Sequence, residues 1–234
     1  ASLTTNVSGA ANIAIGRDSG SGITGSGNIS IGYQSMMATG SSNNTAVGYQ
    51  AGKDNNASGQ VLIGYRAGYL LDSGANNTIV GQSAGDAIVS SSNNVVVGQG
   101  AFSIATTGGN NVALGYRAML NSSAGSNNVA VGRDSLYNSA GVGSNTAIGY
   151  KTLELNTSGS QNVGIGYQAS YTNQTSGLNT AVGYQALYNN TANYNTAFGH
   201  QAGKAITTGS ENVALGRASM RDSAGVTGAS NTGL

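Results

Sequence analysis

The side chains capable of acid–base chemistry in this chain are few, and the sequence keeps them apart. The 234 residues include one histidine, His200, and eight carboxylates. Two of these, Asp18 and Asp134, share one position of the repeat described below but are separated by seven repeats, or roughly 34 Å at the spacing of stacked strands. Glycosidases hold their paired carboxyl groups only ~5–9.5 Å apart. A glycan-cleaving activity is therefore disfavoured, and we expect the protein not to be an enzyme.

His200 occupies a repeat position at which other repeats carry Tyr, Arg or Gln. We therefore interpret it as a solvated or stacked side chain and not as a general base. The chain has no cysteine, which excludes thiolate metal sites, and no grouping of histidine with carboxylates offers metal ligands. Gly-x-Gly-x-x-Gly strings follow no strand–helix pattern and reflect only the abundance of glycine. The sequence predicts no catalytic residue, no metal and no cofactor.

The low charge of the chain argues against nucleic acid and membranes as partners. Charged side chains make up 7% of the residues, and the formal net charge is +1. No basic surface is available for nucleic acid or for an anionic membrane, and no apolar run approaches the ~20 residues of a membrane helix. Hydrophobic residues still make up 38% of the chain and recur at fixed intervals, which argues against disorder.

A repeat of 16 or 17 residues runs through the whole chain and is anchored on glycine. Such regular self-similarity is typical of repeat architectures. We number each repeat so that this glycine is position 5. The 13 anchors are Gly16, Gly32, Gly48, Gly64, Gly81, Gly98, Gly115, Gly132, Gly149, Gly166, Gly183, Gly199 and Gly216.

Position 1 carries an amide side chain in every repeat. In one repeat it is Gln60, whose extra methylene we expect to disturb the arrangement. Stacked amides can bond to their copies above and below, as in the Asn/Gln ladders of stacked identical chains. The sequence therefore predicts a structural ladder formed by Asn12, Asn28, Asn44, Asn77, Asn94, Asn111, Asn128, Asn145, Asn162, Asn179, Asn195 and Asn212.

Positions 2 and 4 indicate a short strand in each repeat. They carry Val, Ile, Thr or another bulky apolar residue, which favours strand, and alternation places them on one face. A single repeat cannot bury that stripe, whereas stacked repeats can. We predict an all-β fold: one parallel β-solenoid domain over residues 1–234, with about 13 coils and a length of roughly 60 Å.

The two faces of that strand suggest where burial occurs. We expect the aliphatic residues of positions 2 and 4 to point into the coil. Position 3 is mostly Ala and position 5 is always Gly, so we expect this small-residue face to pack closely against a neighbouring solenoid. An alternative is that Ala and Gly merely suit a tight coil.

Two further columns vary or carry aromatic residues. Positions 9 and 10 vary most, with large apolar residues alternating with glycine, so we interpret them as a partner-facing strip at the solvent edge. Its members are Phe102, Met119, Leu136, Leu153 and Leu187. Tyrosine is frequent at position 6, where it could stack on sugar rings or bases, but a structural role, with the rings stacked on one another, is favoured.

The motif Asn-x-Ala-[Val/Ile/Leu]-Gly, with a small residue at position 8, resembles the head repeats of trimeric autotransporter adhesins, the YadA-like head. Phrases such as LNTAVGYQAL, from Leu178 to Leu187, are also similar to repeats of tail-fibre-like proteins of bacteria and their viruses. The resemblance implies a left-handed β-roll, three chains side by side, and a place at a cell or virion surface. Carried over by residue, it implies that Val129 and Val131 point into the coil while Ala130 and Gly132 meet a neighbouring chain.

These features together predict a non-enzymatic, extracellular fibre protein that presents a surface for attachment to a glycan or protein receptor. The alternative is a filament subunit that polymerises head to tail and has no receptor. In that case Leu234 of one copy and Ala1 of the next would complete a coil; otherwise the chain is a segment of a longer fibre.

Overall fold

The computed structural model describes residues 9–37, 40–123, 125–141, 143–222 and 225–234. The chain divides into two compact units, residues 1–124 and 125–234. Each is a parallel β-solenoid, and the described residues contain no α-helix. The predicted fold class is confirmed, with about 13 coils formed from strands of two or three residues.

The first unit holds seven strands that follow one another in chain order. Each pairs in parallel with the strand of the next coil, so that Thr45 lies beside Val61 and Val47 beside Ile63. The seven strands are β1 (Ile13–Ile15), β2 (Ile29–Ile31), β3 (Thr45–Val47), β4 (Val61–Ile63), β5 (Thr78–Val80), β6 (Val95–Val97) and β7 (Val112–Leu114).

The second unit repeats the same arrangement with seven further strands. Val163 lies beside Thr180 and Ile165 beside Val182, so equivalent repeat positions stack in register. These strands are β8 (Val129–Val131), β9 (Thr146–Ile148), β10 (Val163–Ile165), β11 (Thr180–Val182), β12 (Thr196–Phe198), β13 (Val213–Leu215) and β14 (Thr232–Gly233).

The strands are short because the backbone of each coil turns at several residues with positive φ angles. Position 5 is glycine with φ near +135° in most coils, as at Gly115 (φ 134°), a region that residues with a Cβ rarely adopt. Positions 7 and 9 and the residue before position 1 also have positive φ, as in Gln185, Leu187 and Leu178. Several tight corners within 17 residues leave a narrow interior.

The face assignment of the strands was wrong. Position 3 points into the coil, and Ala46, Ala130 and Ala181 are fully buried. Positions 2 and 4 point outward and are half-buried or exposed; Val129 and Val131 are half-buried in the single chain. The interior of a coil accommodates one side chain from the strand, most often Ala, together with those of positions 8, 9 and 12, so the residues of positions 2 and 4 lie outside.

Candidate functional site

The position-1 amides form a ladder inside the coil, but its recurrent hydrogen bond joins a side chain to the backbone of the next ladder residue and not, as the sequence predicted, two side chains. In both units the side-chain Oδ1 of one position-1 residue accepts a hydrogen bond from the backbone N–H of the next. The N–O distances are 2.8–3.0 Å, for example 2.8 Å from Asn28 to Asn12, 2.9 Å from Asn145 to Asn128 and 2.9 Å from Asn212 to Asn195. Each of these hydrogen bonds thus links the side chain of one coil to the backbone of the next coil.

In most coils the amide nitrogen of the ladder residue donates to a backbone carbonyl in the turn of the same coil. Asn162 Nδ2 donates to the Ser176 carbonyl at 2.8 Å, and Asn77 Nδ2 donates to the Ser91 carbonyl at 2.8 Å. Buried polar groups must find partners because an unmet one costs about 1–3 kcal/mol. The ladder is therefore a structural element whose hydrogen-bonding capacity is used within the fold.

Gln60 does not disturb the ladder, contrary to expectation. Its backbone N–H donates to Asn44 Oδ1 at 2.8 Å, and its Oε1 accepts from the Asn77 N–H at 3.0 Å. Its Nε2 reaches the Gly74 carbonyl. The longer side chain therefore performs both functions of an asparagine at this position.

The predicted partner-facing strip is not a surface. Phe102, Met119, Leu136, Leu153 and Leu187 are all fully buried, so their assignment to a partner was wrong. The residue at position 12 of the same coil explains the variation at position 9. Where position 9 is large, position 12 is small or polar, as in Leu153 with Asn156. Where position 9 is glycine, position 12 is large in four of five coils, as in Gly85 with Ile88. The exception is Gly52 with Asn55, where Leu62 of the next coil occupies the space beside the glycine.

Contacts at the glycines confirm this compensation. A Cβ built on Gly85 would stand 2.8 Å from Ile88 Cδ1 and 3.0 Å from Ile79 Cδ1. Native cores are close-packed and have no room for both large side chains. Position 9 therefore varies because the filling of the core alternates between two positions.

We expect Leu153→Ala to destabilise the protein by about 2.5 kcal/mol, since it leaves a cavity in a core that cannot collapse around it. Ile148→Ala, on the outward face of the adjacent strand, should cost about 1 kcal/mol or less in the monomer. Urea unfolding followed by circular dichroism, at a protein concentration at which the chain is monomeric, measures both. A larger loss for Ile148→Ala than for Leu153→Ala would contradict the inward placement of position 9.

The bulky residues of positions 2 and 4 form what we call the outward stripe. Ile63 is 39% exposed, Val95 40%, and Phe198 61%. In the 13 repeats these 26 positions hold five Thr and 21 apolar residues, and none is charged. A strand face that met only water would carry charged and polar side chains, so the outward stripe is the surface most in need of a partner.

Tyrosines of position 6 form ladders beside the outward stripe, which we call the tyrosine ladders. In the first unit Tyr33, Tyr49 and Tyr65 stack with ring centroids 5.2 Å apart. In the second unit Tyr150, Tyr167 and Tyr184 do the same at 5.1–5.2 Å. The expected stacking of the rings on one another is present, and the inner rings Tyr49 and Tyr167 have a neighbouring ring on both faces.

His200 continues the ladder of the second unit. Its ring lies 4.9 Å from that of Tyr184 with an interplanar angle of 9°, so the expectation of a stacked side chain is confirmed. Among the residues that the structure describes, no group of three or more His, Cys, Asp or Glu side chains could hold a metal ion.

The ionisable groups form small local pairs along the coil edges. Arg66 Nη2 lies 3.3 Å from Asp86 Oδ1, yet burial raises the pKa of Asp86 more than this guanidinium lowers it. Lys151 Nζ donates to Glu154 Oε1 at 3.1 Å, and this hydrogen bond raises the pKa of Lys151. These pairs join side chains within a coil or between adjacent coils and surround no cleft.

One open depression of about 450 Å³ lies in the second unit. Lys204, Thr207, Arg221 and Asp222 line it, and Arg221 Nη2 pairs with Asp222 Oδ2 at 2.6 Å. This lining offers neither a nucleophile with an adjacent base nor a pair of carboxylates. No helix in the described part of the chain is long and apolar enough to span a membrane.

Comparisons with known proteins add no relative. No family model, no curated protein and no solved structure matches this chain.

Proposed function

We propose that the protein is a non-enzymatic structural fibre segment at a cell or virion surface, and that copies associate side by side through the outward stripe to form a homotrimer. Attachment to a glycan or protein receptor would use the surfaces that this packing leaves exposed. The observation that supports the proposal is a strand face with 26 uncharged positions, most of them apolar.

The physical reason is the thin core of a single coil. Its interior holds small strand residues such as Ala113 and Ala147, both fully buried, while the larger aliphatic residues of the same strands stay partly in water. Burial of apolar surface stabilises by roughly 25 cal/mol per Å². Association through the outward stripe therefore supplies the hydrophobic burial that one chain lacks.

The stripe is also suited to a repeated contact. Its members follow one another in register, for example Thr78 beside Val95 and Val80 beside Val97, so each coil offers the same two side chains. A second copy with the same repeat can match it coil by coil. The outward stripe takes the place of the Ala and Gly face as the interface between copies, because the Ala column lies inside the coil.

We expect the double variant Val95→Lys/Val97→Lys to shift the purified chain from trimer to monomer, because two ammonium groups cannot be desolvated in an apolar interface. Sedimentation velocity measures the mass, and circular dichroism checks that the β signal is kept. Ser90→Glu, at an exposed position outside the stripe, is the matched control and should remain trimeric. A wild-type chain that stays monomeric at tens of micromolar would refute the proposed association.

Attachment and simple polymerisation are separated by a second measurement. Screening the trimer against immobilised glycans and surface proteins should yield specific binding if the fibre is adhesive. Light scattering that rises with concentration, together with an absence of binding in that screen, would favour the filament subunit without a receptor.

A further inference from the structure

We propose that the tyrosine ladders are sites of oxidative cross-linking, in which tyrosines of successive coils couple through their ring Cε carbons. The co-reactants are hydrogen peroxide and a one-electron-oxidising haem peroxidase. The product is a covalent link between neighbouring coils of one chain. This inference does not depend on the proposed side-by-side association.

The geometry of the first unit brings the rings together without any ligand. The Tyr33 and Tyr49 centroids are 5.2 Å apart with an interplanar angle of 23°, and those of Tyr49 and Tyr65 are 5.2 Å apart at 10°. Tyr49 is 44% exposed and Tyr65 48% exposed, so electrons can pass to an external oxidant. Near-parallel rings present the π lobes of their ring carbons to each other, which is the direction from which two phenoxyl carbons couple. The exposed side chains swing about their χ angles to bring two Cε atoms into bonding distance.

The second unit holds two such sets in different columns. Tyr150–Tyr167 and Tyr167–Tyr184 lie at 5.1 and 5.2 Å, and Tyr171 and Tyr188, at position 10, stack at 5.2 Å with an angle of 7°. Tyr194 differs, since the same column holds Leu178 and Glu211 in the adjacent coils. It is 55% exposed, so the oxidant can reach it, but no tyrosine of the described residues stacks on it. Tyr194 therefore serves as an internal control.

The reaction balances as a two-electron oxidation. Each of two phenols loses one electron to the peroxidase and one proton to water, which leaves two phenoxyl radicals with spin at the Cε carbons, ortho to the oxygen. One Cε–Cε bond forms between the rings. The hydrogens on those carbons then move to the phenolic oxygens, so that both rings regain aromaticity. Overall, two hydrogen atoms leave the protein, and one hydrogen peroxide is reduced to two waters.

The fold makes this coupling intramolecular. The parallel register holds Tyr33, Tyr49 and Tyr65 in one column, because the strands that precede them pair residue by residue. Groups kept in contact react with a much higher effective concentration than groups that must meet by diffusion. Coupling within the column should therefore outrun coupling between molecules in dilute solution, and it would fasten one coil to the next against unwinding.

The experiment uses the full chain, treated with peroxidase and a small excess of hydrogen peroxide at low protein concentration. Trypsin cleavage after Arg17, Lys53 and Arg66 places Tyr49 in peptide 18–53 and Tyr65 in peptide 54–66. We expect these two peptides to be recovered joined, with a mass lower by two hydrogens than their sum, together with bityrosine fluorescence in the monomer band of a denaturing gel.

Tyr49→Phe should abolish the joined 18–53/54–66 peptide, because phenylalanine keeps the stack but cannot form a phenoxyl radical. It should lower the fluorescence from the first unit at least tenfold, since Tyr33 and Tyr65 are then two coils apart. Tyr194→Phe, the matched control, should leave the joined peptide unchanged. The proposal is overturned if Tyr49→Phe leaves the yield of this peptide unaltered, if the folded chain yields no more of it than the urea-unfolded chain, or if bityrosine appears only between molecules.

Discussion

Gly81→Ala should destabilise the first unit by about 4 kcal/mol and lower the midpoint of thermal unfolding by about 10 °C. A Cβ at this position would stand 2.6 Å from the carbonyl oxygen of Gly98 and 2.8 Å from its carbonyl carbon. Both atoms belong to the backbone of the next coil, so neither can move away without opening the sheet. The φ of +139° adds strain for any residue with a Cβ.

Gly100→Ala is the matched control for this prediction. Gly100 has φ of +63°, and a Cβ there would meet only the side chains of Leu120 and Arg117 at 3.6 and 3.7 Å. Its repeat position accepts residues such as Gln185 and Arg117 in other coils, so the loss should stay near 1 kcal/mol. Thermal unfolding by circular dichroism measures both variants. Equal losses would contradict the close approach of the two glycine backbones.

Asn162→Ala should cost about 4 kcal/mol in unfolding free energy. The change removes the acceptor of the Asn179 N–H, 3.0 Å away, and of the Asn179 side-chain amide, 3.2 Å away. Both donors lie in the closed interior, since Asn162 is fully buried and Asn179 is 1% exposed. Two buried donors without acceptors at about 1–3 kcal/mol each, together with the cavity, give this sum.

Asn162→Gln tests whether the hydrogen bonds themselves cause the loss. Gln60 shows that the longer amide can accept from the next N–H and donate to its own turn. We therefore expect Asn162→Gln to lose less than half of what Asn162→Ala loses, as measured by urea denaturation. If both variants lose the same amount, the stabilisation comes from packing and the ladder interpretation is wrong.

The repeat was the most predictable feature because every coil requires the same residue types at the same positions. A glycine with φ near +135° and a buried amide are needed once per coil, so their spacing reveals the period and the coil count. The stacking of Tyr184 on His200 was predictable for the same reason: equal positions in a parallel, in-register sheet must lie next to each other.

The sequence itself contains a pattern which indicates that the residues assigned to the partner-facing strip are buried. Large residues at position 9 accompany small or polar ones at position 12, and glycine at position 9 accompanies a large residue in every coil but that of Gly52, as Gly68 does with Leu71. Leu62 and Ile79 at position 3 also occur in coils with glycine at position 9. Compensation of volume between positions indicates a shared core, whereas surface residues vary independently.

The sequence by itself determined the period, the strand positions, the parallel register and the amide ladder, because each depends on residues that recur at fixed intervals. Only the tertiary structure decided which strand face is inside. Alternation tells which residues share a face, but it is symmetric between the two faces. The choice depends on the interior of the coil. Its closely spaced turns leave room for only one strand side chain in each coil, so Ala130 lies inside while Val129 and Val131 lie outside.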